Sequence, residues 1–297
     1  MDIRVKAAWV SVASNTVLVT FKIIVGLMIG SVSVLAEGIH SANDLLASFI
    51  ALFAVKKASE PPDDVHPYGH GKMENVSGTI EALLIFVAAI WIIWEATVRL
   101  QHGGEMLPVG WGILVMGTST LVNLMISTYL MKVARATSSI ALEADAMHLR
   151  TDVFTSLGVT VGLVIIHFTK VTLVDPIAAI LVAILIIKAA GDLTREAFRP
   201  LLDTAICEED LAIVRAILDD YGDDYLEYHD LRSRKAGRDS YLDLHLVTCP
   251  NMSVKQVHDL CDAIEDQIMV SFPYSQVLIH VEPGEEIACD HSMLSPD

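Results

Sequence analysis

The sequence predicts a membrane protein in two parts, an all-α bundle of six transmembrane helices followed by a soluble α+β domain. Hydrophobic residues form 53% of the 297 residues, and the mean hydropathy of +0.50 is too high for an ordinary soluble protein. Residues 1–202 contain 14 basic and 16 acidic residues, whereas residues 203–297 contain 6 and 21, which gives net charges of −2 and −15. The C-terminal third therefore has the composition of a separate acidic domain.

The six predicted spans follow one another with few polar interruptions. Each is an apolar segment of about the 20 residues that an α-helix needs to cross a bilayer. They cover residues 7–29, 33–55, 76–100, 110–133, 139–168 and 172–191. Little more than Gly30 and Ser31 separates the first two, which predicts a tight helical hairpin. An even number of spans returns the chain to its starting side.

Basic residues predict the orientation of these spans. Nine of them fall on one side of the predicted bundle, and the opposite loops carry only Arg99 and Lys170. The nine are Arg4, Lys6, Lys56, Lys57, Lys72, Lys132, Arg135, Arg195 and Arg199. Because cytoplasmic loops carry an excess of Lys and Arg, we expect both termini to lie in the cytoplasm.

The chain is predicted to divide into a transmembrane domain (1–200), a cytoplasmic domain (203–288) and a flexible tail (289–297). The negative charge of the second domain argues against binding to nucleic acid, because phosphates would be repelled. All four cysteines fall in the last third of the chain and include no CxxC pair, so we expect free thiols. They are Cys207, Cys249, Cys261 and Cys289.

The cytoplasmic domain is predicted to have the element order αββαβ. Its helices cover residues 208–221 and 253–270, and its strands cover residues 225–235, 239–248 and 276–282. Ser253 is the expected cap of the second helix. In the last two strands, apolar and polar residues alternate. His245, His280 and Glu282 are therefore expected to point away from the apolar face.

Two polar pairs inside apolar segments, His40 with Asp44 and His148 with Asp152, predict a metal site within the bilayer. An ionised Asp near the bilayer centre costs about 2.5–3.5 kcal/mol, so a compensating cation is expected. The four-residue spacing places both side chains of a pair on one helical face, and imidazole nitrogen with carboxylate oxygen suits tetrahedral Zn²⁺. At 1.5 Å per residue, Asp44 lies about 16 Å and Asp152 about 20 Å into its span, near the midplane. The alternative is that each pair is a hydrogen-bonded polar patch.

Two further sets of candidate ligands lie outside the spans. Asp63, His66 and His70 occupy the connection between the second and third spans, where the alternative is a polar connector. The cytoplasmic domain offers a set in which one carboxylate can bridge two metal ions, and solvated or pH-sensing histidines are the alternative. This set consists of His229, His245, His258, His280 and Glu282.

Two more acidic residues lie in apolar surroundings. Glu81 is in the third span, and Asp145 is one turn before His148. Either residue can relay protons or line the cytoplasmic entry to the metal site. Burial against a polar partner is the alternative for both, since buried polar groups are normally hydrogen-bonded.

Taken together, these motifs resemble those of the cation diffusion facilitators, in particular the bacterial zinc and ferrous-iron efflux type. The resemblance covers nearly the whole chain and rests on the six spans, the HxxxD motifs at His40 and His148, the loop from His66 to Lys72 and the histidine-rich αββαβ domain. It implies a metallochaperone-like or ferredoxin-like cytoplasmic domain. It also implies a homodimer formed through that domain and the membrane helices.

The resemblance further implies a secondary active transporter, not an enzyme, that exports a divalent metal from the cytoplasm across the cell (inner) membrane in exchange for protons. Zn²⁺ is the expected cargo and regulatory ion, with Fe²⁺, Cd²⁺, Mn²⁺ and Co²⁺ as alternatives; His40 in place of Asp resembles the zinc-preferring pattern. The three candidate sets match the transport site, the loop site and a binuclear cytoplasmic site of the family. Lys72 and Asp203 match a charge interlock near the membrane surface.

Two other function classes stay open at this point. An intramembrane metallohydrolase also needs zinc, but the sequence contains no HExxH motif. A non-transporting sensor or scaffold subunit keeps the soluble sites and has no need of the two intramembrane pairs. Because both pairs are present, transport is favoured.

Overall fold

The computed structural model describes residues 2–29, 32–102, 111–169 and 174–285. The chain divides into two compact units, Met1–Leu201 and Leu202–Asp297. The turn predicted at Gly30 and Ser31 and the tail predicted at 289–297 both lie outside the described residues.

Six long helices form the first unit. They are α1 (Ile3–Ile29), α2 (Val32–Ala58), α3 (Lys72–His102), α4 (Trp111–Thr137), α5 (Ile140–Thr169) and α6 (Val174–Phe198), after which comes a 3-10 turn, Arg199–Leu202. Each predicted span overlaps one of these helices, so the structure has the predicted number and order of helices. The shortest, α6, has 25 residues and is about 38 Å long, which exceeds the thickness of a hydrocarbon core of about 30 Å.

α5 packs against helices of two separate apolar clusters. Buried residues of α1, α2, α4 and α5 form the first cluster, to which α5 contributes Ala141 and Leu149. The second cluster joins α3, α5 and α6 and includes Ile140 and Ala144 of α5. Many contact residues are fully buried alanines, and small residues let helix backbones approach closely. These contacts hold α5 on two sides and so fix the polar side chains that it carries.

A buried ion-pair network joins four parts of the first unit. Arg4 of α1 is 1% exposed and pairs with Asp2 and with Glu74 of α3. Arg4 also donates to Ser59 Oγ at 3.2 Å, and the hydroxyl of Ser139, directly before α5, donates to Glu74. Removing one partner of a buried ion pair costs about 3–5 kcal/mol. The network therefore ties α1, the segment after α2, the start of α3 and the start of α5 together.

A three-stranded sheet and two helices form the second unit. The elements are α7 (Glu208–Asp220), β1 (Glu227–Ala236), β2 (Asp239–Thr248), α8 (Val254–Ser271) and β3 (Ser275–Pro283). β2 is the central strand, antiparallel to β1 and parallel to β3, with α8 as the crossover. The predicted order αββαβ is confirmed, and β2 has the predicted bounds.

The core of the second unit lies between one face of the sheet and the two helices. Its buried side chains are Leu242, Leu244 and Leu246 of β2, Val214, Ile217 and Leu218 of α7, and Leu260, Ile264 and Ile268 of α8. Ser253 caps α8, as predicted, because its hydroxyl accepts from Gln256 N while the Gln256 side chain accepts from Ser253 N. The alternate residues of each strand, among them His245, lie on the opposite face of the sheet.

The prediction of four free thiols is wrong for Cys249. Cys207 and Cys261 are free, whereas Cys249, directly after β2, is disulfide-bonded; Cys289 lies outside the described residues. Pairing depends on which segments the fold brings together. The spacing of four cysteines along a sequence carries no such information.

Candidate metal centres

The first centre lies in the helical unit, where α2 packs against α5. Asp44 of α2 and His148 and Asp152 of α5 each offer a ligand atom, and these atoms lie within 4.8 Å of one another. Nε2 of His148 is 3.2 Å from Oδ1 of Asp44. We call these three residues the bundle cluster. The structure thus brings together three of the four residues that the sequence predicts for this site.

His40 is the fourth predicted ligand. It lies on α2, one turn before Asp44, so the helix places the two residues on the same face. The side chain of His40 is outside the described part of the chain. Its role as a ligand therefore stays a prediction.

The bundle cluster is shielded from solvent. Asp44 is 5% exposed, and the buried Nδ1 of His148 has no hydrogen-bond partner among the described residues. A buried carboxylate is stable only if it is neutralised and hydrogen-bonded. One nitrogen and two carboxylate donors are also a ligand set that Zn²⁺ takes in proteins. The cluster therefore has the chemistry of a cation site whose occupant neutralises its carboxylates.

A hydrogen-bonded network adjoins the bundle cluster. Ser48, one turn after Asp44 on α2, donates to Oδ1 of Asp145 at 3.0 Å. Ser48 Oγ accepts from Asn15 Nδ2 at 2.6 Å and lies 2.9 Å from Ser11 Oγ. Sequence reasoning identifies Asp145 as a polar residue in an apolar helix. It misses the two serines, because serine is frequent in transmembrane helices and has no distinguishing pattern there.

The second centre, Asp63, His66 and His70, lies in the connection between α2 and α3, and we call it the loop cluster. Asp63 accepts hydrogen bonds from the backbone N–H groups of His66 and Val65, at 2.6 and 3.0 Å. These bonds, that of His66 above all, lower the pKa of Asp63, so its carboxylate is ionised at neutral pH. Nε2 of His70 lies 3.3 Å from Oδ2 of Asp63 in an orientation that makes no hydrogen bond, and the two imidazole rings are 4.4 Å apart. All three predicted loop residues meet.

The third centre lies on the polar face of the sheet. The strand register places three histidines in one row, with His229 of β1 opposite His245 of β2 and His280 of β3 beside it. Oε1 of Glu282 is 2.9 Å from Nδ1 of His245, and Oε2 is 3.5 Å from Nε2 of His229. His229, His245 and Glu282 form the sheet cluster, with ligand atoms within 4.8 Å of one another. A carboxylate that faces two imidazoles in this way can bridge two metal ions.

The other two predicted ligands of this domain, His280 and His258, are not part of the sheet cluster. The ring of His280 is 4.8 Å from that of His245, and its Nε2 is 3.9 Å from Glu282. His258 lies on α8 with Nε2 3.3 Å from Asp262, and it is not among the described residues that meet in the cluster. Glu227, which sequence reasoning misses, has Oε1 3.7 Å from Nδ1 of His229.

Lys72 and Asp203, the predicted interlock, belong to different compact units. Lys72 is the first residue of α3. Oδ1 of Asp203 lies 3.5 Å from a guanidinium nitrogen of Arg234. An ion pair between Lys72 and Asp203 stays a prediction.

Two family models match the two units of the chain. The cation efflux transmembrane domain matches residues 8–202, and the cytoplasmic domain of cation efflux proteins matches residues 206–284. The chain belongs to the cation diffusion facilitator family. The resemblance that the sequence motifs indicate is thereby confirmed.

Relatives of the cation diffusion facilitator match over most of its length. An uncharacterized transporter of Synechocystis sp. is 33% identical over 257 residues, which cover 86% of this chain and 83% of that protein. The cation-efflux pump FieF of Shewanella oneidensis is 29% identical over 277 residues, which cover 93% of each chain. A solved structure of CzrB is 38% identical and covers 27% of this chain and 100% of that chain, with a TM-score of 0.26.

Family membership establishes the coarse function of this cation diffusion facilitator. It is a membrane protein that transports metal cations, and the predicted fold class, a helical transmembrane domain followed by a cytoplasmic domain with a small mixed sheet, is confirmed. Among the described residues, Ile3–Val25 and Lys72–Val98 are long and apolar enough to cross a membrane, judged by length and composition. Because the family transports cations, the metallohydrolase alternative is set aside.

Proposed function

We propose that this transporter exports Zn²⁺ from the cytoplasm in exchange for protons, and that the bundle cluster is its transport site. The observation that carries the proposal is the meeting of Asp44, His148 and Asp152 in the helical bundle. Two carboxylates balance the double charge of the ion, and the imidazole supplies a nitrogen ligand that suits zinc better than magnesium or calcium. In this proposal His40 completes a four-ligand site.

Exchange with protons follows from the same ligands. Zinc binds carboxylate and neutral imidazole, so its arrival displaces the protons that the empty site holds. An empty and fully ionised site would leave buried negative charges, at about 2.5–3.5 kcal/mol each on membrane-insertion scales. Protons therefore take the place of the metal when it leaves. Exposure of the cluster first to one side of the membrane and then to the other converts this competition into antiport.

Zinc-driven proton flux in proteoliposomes containing the full-length protein tests the assignment. His148→Ala removes the nitrogen ligand, and we expect flux to fall to the level of empty liposomes while the protein stays folded by circular dichroism. His258→Ala is the matched control, because His258 pairs with Asp262 outside the three clusters. Undiminished flux in His148→Ala, or an equal loss in both variants, contradicts the assignment.

The choice of zinc rests on the donor type. Iron(II) and manganese are the alternative cargoes, and cadmium and cobalt are further candidates, because the affinity order of divalent ions is general and does not select one metal. Flux measured with Zn²⁺, Cd²⁺, Fe²⁺, Mn²⁺ and Co²⁺ at equal free concentrations separates them. The fastest flux is expected with Zn²⁺. A clear preference for Fe²⁺ or Mn²⁺ overturns the zinc assignment and leaves the transport site in place.

The proposed setting is the cell (inner) membrane, with both termini in the cytoplasm and two copies joined through the cytoplasmic domains (203–288) and the membrane domains (1–200). The excess of basic residues on one side of the spans supports this orientation, and the matched cytoplasmic-domain model supports the placement of the second unit. Protease protection of terminal tags tests the orientation. A tag cleaved from outside intact cells contradicts it.

The sheet and loop clusters are proposed to bind metal in other roles. The sheet cluster is partly exposed and belongs to the cytoplasmic domain, so we assign to it the sensing of cytoplasmic zinc through the association of two domains. The loop cluster, with three ligands, is assigned a labile ion. Small-angle scattering of the full chain should show zinc-dependent compaction that Glu282→Gln abolishes. No change with zinc favours a structural role, and zinc-dependent compaction without any flux in the wild type favours a sensor subunit.

A further inference from the structure

Two buried carboxyl groups beside the bundle cluster share one arrangement. Asp145 of α5 and Glu81 of α3 are both 0% exposed. One oxygen of each accepts a serine hydroxyl, Oδ1 of Asp145 from Ser48 at 3.0 Å and Oε1 of Glu81 from Ser77 at 3.0 Å. The other oxygen of each, Oδ2 of Asp145 and Oε2 of Glu81, is buried with no hydrogen-bond partner in the described part of the chain.

In the described part of the chain, the basic group near both carboxyl groups is the imidazole of His148, which makes no hydrogen bond with either of them. Glu74, a fully buried glutamate two turns earlier on α3, accepts a hydrogen bond from Ser139 but also pairs with Arg4. No lysine or arginine of the described residues forms an ion pair or hydrogen bond with Glu81 or Asp145. An isolated charged carboxylate in a low-dielectric interior is so costly that the group takes up a proton instead.

The hydrogen bonds indicate where that proton lies. A serine hydroxyl carries one proton, and Ser48 donates it to Oδ1 of Asp145 while accepting from Asn15. Oδ1 is therefore an acceptor, and the proton of a neutral Asp145 lies on Oδ2. The same reasoning places the proton of Glu81 on Oε2, because Ser77 donates to Oε1. Both proton positions are the oxygens without partners.

The two carboxyl groups are placed to respond to an ion in the bundle cluster. Asp145 precedes His148 by one turn on α5, and Ser48 follows Asp44 by one turn on α2, so the antiparallel helices put both on the same side of the cluster. Asp145 interacts electrostatically with Asp44 and His148, and Glu81 with Asp145 and His148. From α1, the side chains that contact this network are the uncharged Ser11, which also interacts with Asp145, and Asn15. A divalent ion in the cluster repels protons from both groups.

We propose that Glu81 and Asp145 form a proton-binding pair that carries part of the counter-ion flux, separate from the metal ligands. When a divalent ion enters the bundle cluster from the cytoplasmic side, the O–H bond of each carboxylic acid breaks and water at that opening accepts the protons. The double charge of the ion is balanced by Asp44 and Asp152, so the carboxylates of Glu81 and Asp145 are stabilised by attraction to the nearby ion and by the hydroxyls of Ser77 and Ser48. When the ion leaves on the other side, each carboxylate takes up a proton from there. This inference rests on the proposed metal–proton exchange.

The number of protons released per bound Zn²⁺ tests the pair directly. It is measured by titration calorimetry of the full-length protein in buffers of different ionisation enthalpy, together with the H⁺/Zn²⁺ ratio of flux in proteoliposomes. Glu81→Gln and Asp145→Asn keep the side-chain volumes and remove the titrating groups. Each single variant should release about one proton fewer per zinc and the double variant about two fewer, with zinc still bound and transported.

Glu74→Gln is the matched control, because it removes a buried glutamate of the same helix that is neutralised by Arg4. Its proton number should equal that of the wild type, as should that of Ser77→Ala, which keeps both carboxyl groups. The inference is overturned if either folded variant, Glu81→Gln or Asp145→Asn, releases as many protons per zinc as the wild type. A wild type that transports zinc without proton flux overturns the proposed exchange itself, so the two failures are distinguishable.

Discussion

The bundle cluster and the sheet cluster offer similar ligand chemistry in opposite surroundings. Each combines imidazole nitrogen with carboxylate oxygen within 4.8 Å. The side chains of His148 and Asp44 are 12% and 7% exposed, whereas those of His229 and Glu282 are 41% and 37% exposed. Water solvates the charges of an empty sheet cluster but not those of an empty bundle cluster. The buried site must therefore exchange one cation for another, while the exposed site can be occupied or empty, which suits a sensor.

The largest effect is expected from Asp44→Asn, which removes a charge from the buried cluster and keeps its shape. Zinc transport in proteoliposomes should fall on the order of 100-fold, because the neutral amide no longer balances the ion. Asp262→Asn, on the exposed face of α8, is the control and should transport at the wild-type rate. Comparable rates for Asp44→Asn and the wild type would mean that the buried carboxylate is not a transport ligand.

The matching change in the exposed cluster is Glu282→Gln. Zinc affinity of the cytoplasmic domain, measured on the full chain with a competing chelator dye, should fall on the order of 10- to 100-fold. Transport at saturating zinc should persist, since the bundle cluster is intact. The control is Glu227→Gln, because the carboxylate of Glu227 is 3.7 Å from His229 and bridges no two histidines in the described part of the chain. Equal losses in both glutamate variants would show that general negative charge, and not the bridging position, governs binding.

A smaller effect is expected from Ser48→Ala beside the bundle cluster. The change removes the acceptor of the buried Asn15 amide and one hydroxyl donor of Asp145, which should lower the free energy of unfolding by about 1–3 kcal/mol. Thermal unfolding of the detergent-solubilised protein measures the loss. Thr20→Ala removes an exposed hydroxyl that bonds within its own helix and should stay within about 0.5 kcal/mol of the wild type. If Ser48→Ala and Thr20→Ala lose the same free energy of unfolding, the buried hydrogen bonds of Ser48 do not stabilise the protein more than an exposed one.

The smallest expected effect concerns the loop cluster, in which Asp63 and His66 are exposed and His70 is buried. Gly69 has φ +81°, in the left-handed region that favours glycine. Gly69→Ala should cost about 1 kcal/mol of local strain and weaken zinc binding by the loop about five-fold. Gly117→Ala in α4, where an added Cβ meets no atom within 4 Å, should leave loop binding unchanged. Loop binding that is insensitive to Gly69→Ala would show that the turn does not position the ligands.

The sequence predicts features that depend on local pattern. Apolar segment lengths place all six helices, and alternation with a capping serine gives the αββαβ order. The HxxxD spacing predicts that His148 and Asp152 share a helical face, and the contact with Asp44 requires only that α2 and α5 be neighbours. These predictions succeed because their physical causes act within a few residues of the chain.

Features that depend on strand register or on long-range packing cannot be predicted from local sequence patterns. The row of His229, His245 and His280 requires the pairing of three strands, and the absence of His258 from the described cluster reflects its place on α8. The buried pair of Arg4 with Glu74 joins residues 70 positions apart, and nothing in the local sequence of either predicts it. The contact of Ser48 with Asp145 joins two helices and likewise depends on their packing, whereas Ser77 lies one turn before Glu81 on the same helix.

The most direct test of the central claim is to locate the metal in a structure of the full-length protein with Zn²⁺ bound. Anomalous scattering at the zinc edge identifies the ion without reference to activity. The account predicts a zinc peak between Asp44, His148 and Asp152 that disappears in Asp44→Asn while a peak at the sheet cluster remains. A zinc-saturated structure with peaks at the sheet and loop clusters and none in the helical bundle would contradict it.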